Sequence, residues 1–133
     1  MSLTVSPDLL ARAEAGEVDD EAFIACVRDS LPYAYTLVDD LARRLAAGDT
    51  TPGMTFADNQ VEPPTDEARG QLLRAMASDA IRGALERHHG VRLAFQNCHR
   101  VAVFPLGAGH DQHARFTSVR SQLLNQSPGM VNC

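Results

Sequence analysis

Residues 65–90, TDEARGQLLRAMASDAIRGALERHHG, decide the class of this fold. Leu72, Leu73, Met76, Ala77, Ala80, Ile81, Ala84 and Leu85 recur at helical spacing and make one apolar stripe. Thr65 supplies an N-cap, Asp66 and Glu67 put negative charge in the first turn, and Gly90 stops the segment. The expectation is a single central helix from Thr65 to Gly90. Gly83, with Ala77, Ala80 and Ala84, keeps part of its stripe shallow, which admits a close neighbour and leaves a homodimer open through that face. A leucine at Ala80 is then expected to strain the packing by about 1–3 kcal/mol. His88 and His89 occupy the last turn, where the helix dipole stabilises a cation, so C-terminal capping is their simplest role.

Downstream, Val91-Arg92-Leu93-Ala94-Phe95 alternates and Val101-Ala102-Val103-Phe104 is continuously apolar; both read as strands. Gln96-Asn97-Cys98-His99-Arg100 lies between them, either as the turn of a hairpin or as a kink in one long strand, since no Asn-Gly or Asp-Gly specifies a turn. After Pro105, the polar, glycine-rich run Gly107–His113 reads as a loop, followed by a last helix around Thr117–Gln126 with Val119, Leu123 and Leu124 inward.

Upstream, Ser6-Pro7-Asp8 opens a short helix that Gly16 ends. Asp19 caps a second helix, with Val18 placed to staple Phe23, and Pro32 ends or kinks it. Ala34, Leu37, Val38, Leu41, Ala42, Leu45 and Ala46 continue at three- and four-residue steps to Gly48. Residues 49–64 form a long connection with at most a short strand around Met54–Phe56, and its Asp58, Asn59 and Gln60 are the kind of side chains that either meet a ligand or furnish a solvated turn. The fold class expected is α+β and predominantly helical: four to five helices packed with a small two-stranded hairpin or short sheet, in one domain over residues 1–133. Its parts are an acidic helical region 1–48, a loop 49–64, a central helix 65–90, strands within 91–104, and a loop, last helix and tail over 105–133. No internal repeat is present.

Composition excludes several classes. Hydrophobic content of 44% with 22% charged residues is ordinary for a globular chain, and no run is long and apolar enough for a membrane span. Nothing in the first residues marks export, and three cysteines (Cys26, Cys98, Cys133) fit neither a disulfide framework nor a paired CxxC knuckle, so a cytoplasmic, reduced protein is expected. Residues 1–67 carry four Arg against fourteen acids and residues 68–133 eight Arg against three, giving halves of −10 and +5 within the net −5. Every Lys+Arg residue is arginine, a composition that resembles that of proteins from GC-rich bacteria and implies no activity. With 5% aromatics, no Trp and a net negative charge, nucleic acid has little support as a partner.

The residues able to carry chemistry gather near the C-terminal end. A thiolate at Cys98 needs a base; adjacent residues of an extended chain face opposite ways, so that base would be His110 or His113, or the more distant His88 or His89, rather than His99. His110-x-x-His113 with Cys98, or with His99 and Asp111, also offers ligands that zinc accepts, although the pattern lacks His-Glu-x-x-His. Catalysis or zinc binding through Cys98, His110 and His113 is therefore the alternative reading. The leading one is a small binding or accessory protein. In it, Asn97, His99, Arg100 and Arg115, with Arg92 and Arg120 near by, present a basic surface to a protein partner or a small anionic molecule. Gly107-Ala108-Gly109 lacks the lysine and the third glycine of nucleotide loops. Asp39-Asp40 before Arg43-Arg44 reads as i,i+4 ion pairing on a solvated face. Both functional readings require the stretch after the second strand to fold back over the Asn97–Arg100 corner.

Overall fold

The computed structural model of the chain describes residues 2–97 and 99–126. Its elements run α1 (Pro7–Glu14), α2 (Asp20–Ser30), α3 (Pro32–Ala46), β1 (Ala57–Asp58), α4 (Asp66–Ala77), α5 (Asp79–His89), β2 (Val91–Gln96), β3 (Arg100–Pro105), α6 (His110–Phe116) and α7 (Val119–Leu124). The helix starts follow the capping chemistry: the side chains of Ser6, Asp19 and Thr65 accept from the N–H groups of Leu9, Ala22 and Ala68. Pro32 opens α3, so the chain bends at Leu31, which closes α2 and heads α3.

The strands make an antiparallel sheet in the order β1-β3-β2. Gln96 lies opposite Arg100, which settles the hairpin alternative for β2 and β3, and Asn97 takes the left-handed conformation (φ 59°) at the reversal. The continuous apolar run of β3 has a direct cause: this strand is central and Val101, Ala102, Val103 and Phe104 are all fully buried, because both sheet faces are covered. On one face Ala57, Val91, Leu93, Val101 and Val103 pack with Val27, Leu31, Val38, Leu72, Ile81 and Leu85 of the helices α2–α5. On the other, Ala94, Ala102 and Phe104 pack with Phe56 and with Phe116 of α6. The result is three layers, helices then sheet then α6, and the fold is α+β and dominated by helices as expected. Among the described residues no helix is long and apolar enough to cross a membrane.

Four expectations are corrected. The helix expected over 65–90 is two, because Ser78 is extended (φ −97°, ψ 116°) and its side chain caps α5 by accepting from the Ile81 N–H. The stripe explains the break: from Met76 to Ile81 is a five-residue step, which on one continuous helix would turn Ile81 away from the face that buries Leu72 and Met76. In consequence Leu73, Ala77 and Ala80 are exposed, so the shallow stripe that left a dimer open is not a continuous face. The short strand lies at Ala57–Asp58 rather than Met54–Phe56, and pairs with β3. The run ending at His113 is a loop only to Gly109; α6 begins at His110. Finally Val119, Leu123 and Leu124 point outward, at 77%, 68% and 65% exposure.

Candidate functional site

The segment after β3 does fold back over the hairpin corner. Gly109 permits the return: its φ is 75°, and a Cβ there would sit 2.8 Å from Thr55 Oγ1. Gln112 Oε1 accepts from the Thr55 N–H and from Thr55 Oγ1, both at 2.7 Å, tying α6 to the 49–64 connection. Gln96, 2% exposed, donates its Nε2–H to the Phe116 carbonyl at 2.9 Å. Asn97 then holds α7, its Oδ1 accepting from Gln122 Nε2 (2.6 Å) and Gln126 Nε2 (3.0 Å) and its Nδ2 donating to the Asn125 carbonyl.

Between the sheet and these two helices lies a cleft of about 240 Å³, lined by Met54, Phe56 and Phe116 and by the polar ends of Gln96, Arg100, Gln112, Arg115, Ser121 and Asn125. Its floor is aromatic: Phe56 and Phe116 line it, with ring centroids 5.7 Å apart, and the buried Phe104 ring packs behind both at 4.7 and 5.9 Å. The volume is below the roughly 300–1,000 Å³ of pockets that enclose drug-sized molecules, so a small guest fits it.

Arg100 forms one wall and is committed to it. Its Nε and Nη2 both donate to Asp58 Oδ2 at 2.6 Å, its Nη1 to Gln96 Oε1 at 3.2 Å, and its guanidinium lies 5.1 Å from the centre of the Phe116 ring. Asp58 is completely buried and also accepts from Thr51 Oγ1 (2.6 Å) and from Gln60 Nε2. Asn59 extends the β1–β3 ladder, its Oδ1 accepting from the Val101 N–H (2.8 Å) and its Nδ2 donating to the His99 carbonyl (2.6 Å). The acid and two amides of 58–60 are thus engaged inside the protein.

Arg115 is different. It is exposed on α6 at the mouth of the cleft, and no carboxylate pairs with it among the described residues. His99 lies outside the cleft, in a small recess with Asn59, Gln60, Glu62 and Arg100, and its Nδ1 is buried with no hydrogen-bond partner among the described residues. His110 and His113, three apart on α6, face the β2 edge, where Arg92 Nη2 is 3.4 Å from His110 Nδ1 and the His113 ring rests on Phe104 with centroids 5.1 Å apart. Burial first, then the charges of Arg92 and His110, lower the pKa of His113, with Glu86 acting in the opposite sense.

The cysteine of the alternative catalytic and zinc reading, Cys98, lies outside the described residues, as does Cys133. Among the described residues no group of three or more His, Cys, Asp or Glu side chains is placed to hold a metal ion. The remaining candidates are structural. Asp39 pairs with Arg43 (2.9 Å) and with His89 Nε2 (3.3 Å), while Arg44 turns to Asp49 (3.2 Å). His89 Nδ1 lies 3.0 Å from the Leu85 carbonyl in the last turn of α5, and His88 Nε2 is 3.5 Å from the Tyr35 hydroxyl. Sequence reading missed Gln96 and Gln112, whose only signal was a glutamine at the end of a strand and another within a polar run.

Among known proteins, a family model described as NucS shadow ORF matches residues 1–133. Neither the curated proteins nor the solved structures returned a match. The chain belongs to the NucS shadow ORF family.

Proposed function

We propose that the chain is a non-catalytic binding module whose cleft takes a small carboxylate with a flat apolar body. The observation that carries this reading is Arg115: a guanidinium with no carboxylate partner among the described residues, at the mouth of a cleft with an aromatic floor. A guanidinium binds a carboxylate through paired, charge-assisted hydrogen bonds, and Phe56 and Phe116 supply the surface for the rest of the guest. Gln112, Ser121 and Asn125 add polar groups that orient it. Arg100 contributes the wall and whatever N–H groups Asp58 and Gln96 leave over, and Asn97 keeps α7 in place as the lid of the cleft. A protein partner bearing an acidic residue beside an aromatic one would satisfy the same chemistry.

The family description names an open reading frame and no activity. Its label also carries the letters KH, with which the order β1-α4-α5-β2-β3-α6 around an antiparallel sheet is compatible. KH modules clamp a nucleic-acid backbone on a Gly-x-x-Gly loop. Of the nine glycines here, no two are separated by two residues, so that clamp is missing and the label adds no support for nucleic acid.

The test is calorimetric titration of benzoate against its neutral isostere benzamide. Saturable benzoate binding in the millimolar range, with benzamide and the Arg115→Ala variant each at least about tenfold weaker, is expected. Equal binding of benzoate and benzamide, or an unchanged affinity in Arg115→Ala, overturns the reading.

A further inference from the structure

The basic residues of the C-terminal half do not gather in one site. Arg100 and Arg115 line the cleft, whereas Arg92, on β2, meets the start of α6 at His110 and acts on His113. Among the described residues the Nε of Arg92 is buried with no hydrogen-bond acceptor, and its Nη2 lies 3.4 Å from His110 Nδ1. A buried donor without an acceptor is costly; Arg69 Nε is likewise without one, but its Nη1 pairs with Asp66, whereas no carboxylate pairs with Arg92 among the described residues.

We propose that Arg92, His110 and His113 form a second site, separate from the cleft, for a tetrahedral oxyanion of the phosphate or sulfate class. Such an anion supplies the acceptor that Arg92 Nε lacks among the described residues and sets a negative charge directly beside its guanidinium. The charged groups around it are few. Arg92 comes from β2 and His110, Asp111 and Arg115 from α6, the last three lining one open recess with Thr55. From α5, Glu86 acts on His113 as the opposing charge, but its Oε2 is held by the Leu93 N–H at 2.9 Å. From β3 the neighbour is the uncharged ring of Phe104. Burial, and then the charge of Arg92, disfavour the protonated form of His113 while the site is empty. An oxyanion reverses that balance, so its binding takes up protons and strengthens as pH falls through the histidine range.

Inorganic sulfate is the probe, because its charge is constant across that range. Titrated into the full chain and followed by the ring resonances of His110 and His113, it should give saturable shifts, with an affinity about tenfold higher near pH 5.5 than near pH 7.5. Arg92→Gln should weaken binding at least about tenfold at both pH values, and Arg115→Ala should leave it unchanged, which separates this site from the cleft. His110 is exposed, so His110→Gln is expected to fold normally and to weaken sulfate binding at least about threefold. Shifts that grow linearly without saturation overturn the proposal, as does wild-type affinity in Arg92→Gln or loss of binding in Arg115→Ala. Should circular dichroism show Arg92→Gln to be unfolded, His110→Gln decides: wild-type sulfate affinity there overturns the proposal.

Discussion

Truncating Asp58 to alanine should be among the most damaging single changes in the molecule. Its carboxylate is completely buried and receives two bonds of 2.6 Å from Arg100 and one of 2.6 Å from Thr51. Removing one member of a buried ion pair typically costs about 3–5 kcal/mol, most of it the penalty of leaving the other charge uncompensated. Arg100 is 27% exposed and recovers some hydration, which places the expectation at the lower end, about 3–4 kcal/mol. For a chain of 133 residues the unfolding entropy is about 0.28 kcal/mol/K, so Tm should fall by about 11–14 °C. Adding Arg100→Met to Asp58→Ala removes the orphaned charge and should restore part of the loss, so the two changes are not additive. Urea denaturation of the two single variants and the double variant measures this cycle. A loss below about 1 kcal/mol in Asp58→Ala, or strictly additive losses, would refute the assignment of this pair as the tie between β1 and β3.

Other outcomes follow from the same structure. Ala80 is exposed and Ala84 completely buried, so Ala80→Leu should change stability by less than about 0.5 kcal/mol while Ala84→Leu costs about 1–3 kcal/mol; the reverse order in urea midpoints would restore the single continuous helix. The pKa of His113 is lowered in the folded chain, chiefly by burial, so the unfolded chain takes up that proton first as pH falls. The stability this provides is intact above the ordinary histidine value of 6.5 and is lost as pH drops from there through the lower folded value. Between pH 7 and pH 5 the His113→Gln variant should therefore lose less stability than the wild type, and equal losses would contradict the burial argument. Because the family is described as an open reading frame, production of the chain in cells is itself a measurable expectation. Trypsin cuts only at arginine here, and the peptide 101–115 should occur in digests of cells that express the gene; its consistent absence would leave the cleft without a biological ligand.

Much of the architecture was legible because it rests on local chemistry. Ser6, Asp19 and Thr65 each cap the helix they precede, and Pro32 divides α2 from α3, since capping and proline geometry act within a turn of the chain. The continuous apolar run of β3 marked a strand buried on both faces. The break at Ser78 was also written locally, in a Ser-Asp pair and the five-residue step from Met76 to Ile81, but a run of alanines and leucines disguised the change of phase. α6 and β1 were harder. α6 buries only Phe116 and begins with polar residues, so no apolar period announces it; β1 is two residues long and exists by pairing with β3. The site itself was illegible at short range. Asp58 and Arg100 are 42 residues apart and Thr55 and Gln112 are 57 apart, so their partnership is a product of topology. The sequence grouped Arg92, Arg100 and Arg115 as one basic surface; Arg92 and Arg100 do share a face of the hairpin, opposite Phe104 and Gln96 respectively, but α6 packs on that face between them.

The claim at the centre of this account is that the cleft between the hairpin and α6–α7 receives an anion through Arg115. Mapping benzoate-induced shifts of backbone amides across the whole chain tests it most directly. The account requires perturbations concentrated at Phe56, Gln96, Gln112, Arg115, Phe116 and Ser121 and abolished by Arg115→Ala. Perturbations centred on the α2–α5 side of the sheet, or none at millimolar benzoate, would contradict it.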